Sequence, residues 1–137
     1  MALNNFSTEK HAVNINGRTI EDWGQSDPPY TDDPIDQPSQ LIRGQGGGAV
    51  RFDRLNPGRR VTLNLMPGSP DSAYLSGLYN SKANITLGRV QIGTLEAATG
   101  TEGVIVNKNQ TGRGGASLSD DQYVVEFNGW TETSGGE

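Results

Sequence analysis

A strand that runs through a Pro-Gly turn into a helix, residues 59–84, constrains the fold of this chain more than any other segment. Its first part alternates apolar and polar side chains, as expected of a strand with one buried face. The apolar positions are Val61, Leu63 and Leu65. After Pro67-Gly68 interrupts the strand, Ser69 is a suitable N-cap and Pro70 suits the first helical position. The segment therefore predicts a strand, a turn and a helix in succession.

The helix should cover residues 70–82 and bury one face. Its apolar stripe consists of Tyr74, Leu75, Leu78 and Tyr79, which share a side at helical spacing. No other segment has helical periodicity. The sequence therefore predicts a mainly β protein, a small antiparallel β-sandwich or barrel with one short flanking α-helix.

Composition indicates a thin core. Only 32% of the 137 residues are hydrophobic, and a further 19 are Gly, which counts among the roughly 45–50% apolar residues of a typical domain but adds no side chain to a core. Such a subunit could gain part of its stability from neighbouring copies. The net charge of −5 argues against a DNA-binding regulator, because tight nucleic-acid binding needs a basic surface.

The opening of the chain predicts a hairpin followed by a long loop. Residues 11–15 and 19–23 alternate around Asn16-Gly17, the strongest two-residue hairpin signal. Residues 24–40 are then rich in proline and aspartate and lack apolar periodicity, so we expect a loop outside the core.

The remaining strands are expected as a second hairpin, one short strand before it and three strands after the helix. Residues 49–55 and 59–66 flank Asn56-Pro-Gly and should pair with each other. Further strands are expected at residues 40–43, 85–95, 103–108 and 121–131, with a turn at 97–103 and a mobile Gly-rich loop at 109–119. We see no second domain, so residues 1–137 are expected to form a single domain.

Charge is divided between two neighbouring segments. Residues 20–42 contain six acidic and no basic side chains, whereas residues 43–60 contain five arginines and only Asp53 as an acid. This division favours head-to-tail association between copies, although solvated charge runs are the commoner meaning of such a pattern. The candidate interface residues are Asp27, Asp32, Asp33, Asp36, Arg51, Arg54, Arg59 and Arg60.

Catalytic signatures are missing from the sequence. It has no cysteine and a single histidine, His11, without a recognisable triad. The loop aspartates lack the spacing of a calcium loop, and the Gly-rich runs lack the lysine of a phosphate-binding loop. Only the fold could bring two carboxylates to the separation that glycoside hydrolysis needs. We therefore expect no enzyme activity, cofactor or metal.

The order and spacing of these segments resemble those of a known family. The run of residues 46–78, GGGAVRFDRLNPGRRVTLNLMPGSPDSAYLSGL, is similar to the central segment of tail tube proteins of contractile-tailed (myovirus-type) bacteriophages. That family has a Gly-containing turn, a basic strand, a VTLxL strand, a Ser-Pro turn and a helix with YLSxL. The opening hairpin and the closing strand also fit, whereas the acidic loop at 27–38 and the glycines near Gly112 depart from the pattern.

The resemblance implies a structural virion protein. Six copies would form a ring with a continuous inner barrel, and stacked rings would form the hollow tail tube that delivers DNA. Implied partners are the tail sheath, baseplate, tail terminator and tape-measure proteins and the DNA in transit, with no sequence-specific nucleic-acid binding and no membrane. Without an apolar signal segment or membrane span, the protein is expected to be soluble, to assemble in the host cytoplasm and to reside in the virion.

The interface hypothesis is that the aspartates of loop 24–40 reach another subunit and meet Arg51, Arg54, Arg59 and Arg60 there. Residues of the right polarity for a lumen or outer face are Thr62, Asn64, Gln91 and Glu126. A related alternative is the tube protein of a type VI-like secretion system. A less favoured one is a ligand-binding β-sandwich, for which the aromatic residues, among them Trp23 and Trp130, are too scattered.

Overall fold

Strands dominate the computed structural model, which describes residues 11–91, 96–109 and 111–133. The strands are β1 (His11–Ile15), β2 (Arg18–Ile20), β3 (Tyr30–Pro34), β4 (Ser39–Arg43), β5 (Ala49–Asp53), β6 (Arg59–Leu65), β7 (Ile85–Gln91), β8 (Glu96–Lys108) and β9 (Asp121–Thr133). The helix α1 spans Pro70–Ser81. The predicted fold class, mainly antiparallel β with one short helix, is confirmed.

Seven strands form one antiparallel sheet in the order β2-β1-β7-β8-β9-β6-β3, and β4 and β5 form a separate two-stranded sheet. The large sheet folds back on itself. His11 of β1 contacts the ring of Tyr30 of β3, with ring centres 5.6 Å apart, although four strands lie between β1 and β3 in the sheet order. Within the described residues, no helix is long and apolar enough to cross a bilayer.

The core lies between the two halves of the folded sheet and is closed by α1. The alternating positions predicted on β6 and β9 are inside: Val61, Leu63, Leu65, Tyr123, Val125 and Phe127 are all fully buried. Leu75 of α1 is fully buried against this cluster, and the other members of its stripe are partly buried there. The helical stripe and both strand faces are thus confirmed.

The caps of α1 follow the predicted chemistry. The Ser69 side chain accepts a hydrogen bond from the Ser72 backbone N–H, and Pro70 begins the helix. The helix ends at Lys82, whose left-handed backbone (φ 56°) directs its N–H back to the last carbonyls. Asp71 fastens the first turn to the end of β2, because its carboxylate accepts hydrogen bonds from the backbone of Glu21 and Asp22.

The acidic segment was wrongly predicted as a loop without strands. It contains β3, which pairs along its whole length with β6, so that Asp33 lies opposite Arg60. The predicted hairpin of residues 49–55 with 59–66 is also wrong, because β5 pairs with β4. Backbone bonds between residues 35–36 and 57–58 link the two pairings. β3–β4 and β5–β6 therefore form the two sides of one long ribbon, whose tip is Gly44–Gly48.

The second predicted strand and the predicted turn at 97–103 also need correction. β2 ends at Ile20, and Trp23 instead bridges to Leu65. β8 runs through residues 97–103 without a turn. Its glycines serve packing there: a Cβ on Gly103 would lie 2.4 Å from the Phe127 ring. The last residues of the strand predicted at 85–95 fall outside the described residues.

Candidate assembly surface

The two-stranded sheet β4–β5 with its turn, hereafter the arm (residues 39–53), projects from the sandwich. Every strand residue of the arm is exposed, although half of them are apolar. Leu41, Ile42, Val50 and Phe52 have exposed fractions of 63%, 50%, 64% and 48%. An isolated two-stranded sheet is at best marginally stable in water, so the arm is the part of this subunit that most needs a partner.

The strand register gives the arm two different faces. Directly opposed residues share a face, which places Ile42 with Val50 and Gln40 with Phe52 on one side. The other side pairs Leu41 with Arg51 and carries Arg43 near the turn. The arm is therefore apolar on one face and basic on the other.

The predicted interface charges separate into two groups. Asp32 and Arg59 lie on adjacent strands of the same chain and form an ion pair in which both side chains are largely buried. Arg60 donates a 3.1 Å hydrogen bond to Glu126 and lies 3.8 Å from Asp33. These two arginines and two aspartates are thus brought together within one subunit.

The second group of predicted residues faces solvent. Arg51 pairs with its exposed neighbour Asp53, and Arg54 lies over the Phe52 ring. Asp27 and Asp36 are exposed on the ribbon side that precedes the arm. Exposed charges such as these remain available to another molecule.

A buried ion cluster lies where β7, β8 and β9 meet β3. Arg89, with only 9% of its side chain exposed, contacts Asp32 (3.5 Å), Glu96 and Glu132 (3.8 Å). The Arg89 guanidinium also lies 5.7 Å from the centre of the Tyr30 ring. Burial first, and Asp32 second, raise the pKa of Tyr30. The cluster ties the edge strand β3 to the opposite half of the sheet.

His11 is a packed ring at this end of the sandwich. It contacts the rings of Trp23 and Tyr30. Burial and the charge of Arg89 lower the pKa of His11, against an opposing effect of Glu96. An imidazole packed against two aromatic rings fits the structural role that a lone histidine suggests. Among residues 11–91, 96–109 and 111–133, no group of three or more potential ligands could hold a metal ion.

The outer face of the large sheet has polar side chains on parts of β6 and β9, whereas Val90, Val104 and Val106 are exposed on β7 and β8. Thr62 and Glu126 alternate with the buried residues of their strands and point away from the core. Asn64 is buried instead, with 6% exposed, and its side chain donates a hydrogen bond to the Pro29 carbonyl, so its assignment to an open face was wrong. Gln91 was grouped with them wrongly, because it is buried on the inner face of β7. Side chains alternate between the two faces of β7, so Gln91 lies on the same buried face as Ile85, Leu87 and Arg89.

The Gly-rich segment has no helix or strand among its described residues, 111–119. Arg113 reaches from it to the buried Asp121, at 2.8 Å, and Gly112 and Ser119 bond across its base. The mobility expected of this segment stays a prediction.

Sequence reasoning missed the apolar residues of the arm. Leu41, Ile42, Val50 and Phe52 look like ordinary strand residues, and only the absence of a covering layer distinguishes them. A signal was present, since the glycine run at 44–48 separates two short apolar segments of equal length. Reading these segments as partners would have identified an independent hairpin.

No protein-family model matches the sequence, and a search of curated proteins also finds no match. Solved structures, however, match over nearly the whole chain. The cap that terminates the tube of the anti-feeding prophage has a TM-score of 0.58 at 11% identity, over 98% of this chain and 94% of that one.

Two structures of the extracellular contractile injection system PVC are also similar. Its sheath–tube complex in the extended state has a TM-score of 0.59 at 12% identity, covering 95% of this chain and 92% of that chain. Its sheath/tube terminator in the extended state has a TM-score of 0.59 at 11% identity, covering 98% and 100%. At this identity the likeness establishes a shared fold.

Proposed function

We propose that this chain is a structural subunit of a contractile tail, and that the whole of residues 1–137 acts as one tail tube domain. Copies assemble into hexameric rings, and the rings stack into the hollow tube through which DNA passes into the host. The tube would lie inside a contractile sheath, between a baseplate and a terminator, with a tape-measure protein in its lumen. The subunit itself needs no cofactor and carries out no catalysis.

The arm is the observation that carries this proposal. A monomer gains nothing from a projecting ribbon with an uncovered apolar face, because burying such side chains contributes about 25 cal/mol per Å². In an assembly, the same face becomes part of an interface. Proteins that share this fold over their full length occur in complexes described as sheath–tube and tube-terminating, which supports the same role.

The outer face of the sheet suits a passage for DNA. On β6 and β9 the side chains of Thr62, Gln122 and Asn128 carry no charge, and Arg60 is paired with Glu126. Since phosphate binding depends on unpaired cations, a wall of this kind would let a polyanion slide. This supports a lumen lined by strands β6 and β9.

A second candidate is the protein that ends the tube. Two of the similar structures carry the names cap and terminator, and one of them matches over 98% of this chain and 100% of its own. Such a protein would form a single ring instead of a continuing stack. Its arm would contact the last ring of the tube.

Negative-stain electron microscopy of the purified full chain distinguishes these candidates. Tubes of stacked rings are expected for a tube subunit, and single rings for a terminator. The double variant Val50→Thr/Phe52→Ser should abolish either assembly and leave the monomer folded. Leu118→Ser, which changes an exposed apolar residue outside the arm, is the control. Assemblies of unchanged length from the arm variant would contradict the proposal.

A further inference from the structure

The Gly-rich segment 111–119, hereafter the strap, is closed at its base and uncovered along its length. Apart from Gly112, all its residues are exposed. Within the described part of the chain, no hydrogen bond or ion pair involves residues 114–118. At the base, the Gly112 N–H donates to the Ser119 hydroxyl at 2.7 Å, and the Ser119 N–H donates to the Gly112 carbonyl at 3.2 Å. The contacts that hold the strap are therefore concentrated at its two ends.

Arg113 ties this base to a buried carboxylate. One terminal nitrogen of its guanidinium, Nη1, donates to the carbonyls of Gly112 and Ser119, at 3.0 and 3.3 Å, and so contacts both ends of the strap. The other, Nη2, donates to a carboxylate oxygen of Asp121 at 2.8 Å. Only 5% of the Asp121 side chain is exposed. A carboxylate buried to this degree needs partners, and Arg113 supplies one from an exposed segment.

Asp121 also contacts the first turn of α1. The buried Ser72 hydroxyl donates to the second carboxylate oxygen of Asp121. Burial opposes the ionisation of Asp121, but hydrogen bonds from Ser72 and Arg113 and the charges of Arg113 and Lys108 outweigh it and lower the pKa of this carboxyl. One charged carboxylate thus holds the exposed strap on one side and the start of the helix on the other.

The chain is fixed independently just outside both ends of the strap. The Asn109 N–H donates to the Gln122 carbonyl at 2.9 Å. Asp120 accepts hydrogen bonds from the two backbone N–H groups of residues 25–26, at 3.0 and 2.8 Å. None of these contacts involves Arg113, so the strap can open without displacing the ends of β8 and β9.

We propose that Arg113 is a latch: its ion pair with Asp121 holds the strap closed on the subunit, and breaking that pair opens residues 111–119 while the sandwich stays folded. Gly114 and Gly115 follow Arg113 directly, and their wide backbone freedom lets the chain swing away there. A segment with few buried contacts opens at low free energy, so one charge-assisted hydrogen bond sets the balance between the closed and the open strap. The latch lies within one subunit and is independent of the assembly proposed above.

Two proteases of different specificity report the state of the strap in the full-length chain, at a concentration where it is monomeric. Trypsin cleaves after Arg113 only when its specificity pocket binds that side chain, which the latch occupies. Chymotrypsin cleaves after Leu118, which lies within the strap. Because cleavage follows the population of the open form, Asp121→Asn should raise tryptic cleavage after Arg113, and Arg113→Gln chymotryptic cleavage after Leu118, each at least about tenfold.

Two further variants separate opening of the strap from loss of the fold. Arg51→Gln removes another arginine, whose partner Asp53 is also exposed, and should change cleavage after Leu118 less than about twofold. The double variant Arg113→Gln/Asp121→Asn leaves no buried charge without its partner. Its melting temperature should therefore lie above that of Arg113→Gln, while its cleavage after Leu118 stays fast.

Three results would overturn the latch. The first is unchanged cleavage after Leu118 in Arg113→Gln, which would mean that the bonds between Gly112 and Ser119 close the strap without help. The second is slow cleavage restored in the double variant together with its thermal stability. The third is tryptic cleavage in Asp121→Asn that accelerates equally after Lys82, an exposed position outside the strap, because the substitution would then have loosened the whole subunit.

Discussion

Gly103 shows how closely the long strands pack at the level of single residues. A Cβ there would lie 2.4 Å from two carbons of the Phe127 ring, which is fully buried. Because the ring is held by the core and cannot move aside, Gly103→Ala should lower the free energy of unfolding by about 1–3 kcal/mol. Urea unfolding followed by tryptophan fluorescence measures this change.

Gly88 provides the matched control for that substitution. It lies on the neighbouring strand β7, and a Cβ there would meet nothing within 4 Å. Gly88→Ala should therefore leave stability unchanged or raise it slightly, because alanine restricts the unfolded chain. Equal losses for the two variants would mean that backbone freedom, and not the Phe127 contact, determines the cost.

Asp71 makes stability depend on pH. Its burial opposes ionisation, but hydrogen bonds from the Glu21 and Asp22 backbone and from Arg18 outweigh this and hold the pKa of Asp71 below its usual value. The stabilisation is therefore complete well above the unfolded-chain pKa of about 3.9 and is lost as the pH falls through the lower folded-state pKa.

Asp71→Asn removes the charge and should lower the free energy of unfolding at pH 7 by about 1–3 kcal/mol. The difference from the natural chain should shrink as the pH falls below about 4, where protonation makes the two side chains alike. Thermal unfolding from pH 7 down to pH 3 tests this. Asp27→Asn, at an exposed position, is the control, and a difference that grew on acidification would contradict the sign.

At the scale of elements, α1 closes the sandwich through one side chain above all. Leu75 is fully buried, while Tyr74, Leu78 and Tyr79 are only partly so. Leu75→Ala should therefore lower the free energy of unfolding by about 2–5 kcal/mol, and Leu118→Ala, at an exposed apolar position, by less than about 0.5 kcal/mol. Chemical denaturation of both variants measures the contrast; similar small losses would mean that α1 is not needed to close the core.

Local pattern predicted the elements better than it predicted their partners. The alternation of β6 and β9 and the caps of α1 depend on neighbours in sequence, and they were confirmed. The pairing of β3 with β6 joins residues about thirty positions apart, and the two aspartates and one proline of β3 give it little strand propensity. It forms because its carboxylates meet Arg59 and Arg60 on the adjacent strand, which no local pattern encodes.

At the scale of the whole molecule, the separation of charge along the sequence does not translate directly into an interface between copies. The acidic and basic segments are two sides of one ribbon, so part of their complementarity is satisfied inside the subunit. What remains for neighbours is the arm, with its exposed arginines and apolar face. The thin core and the uncovered arm both fit a subunit that is completed by assembly.

The two groups of arginines should consequently behave differently when reversed. Arg59 pairs with Asp32, lies 3.9 Å from Glu132 and stacks over Trp130, so Arg59→Glu leaves a largely buried carboxylate without its partner and adds another beside it. Arg59→Glu should therefore lower the free energy of unfolding of the monomer by about 3 kcal/mol or more. Arg51 has 75% of its side chain exposed. Arg51→Glu should therefore lower the free energy of unfolding of the monomer by less than about 1 kcal/mol, while it weakens self-association. Urea unfolding at a concentration where the protein is monomeric, combined with sedimentation velocity, separates the two effects. A stable Arg59→Glu monomer that fails only to assemble would mean that Arg59 acts between subunits after all.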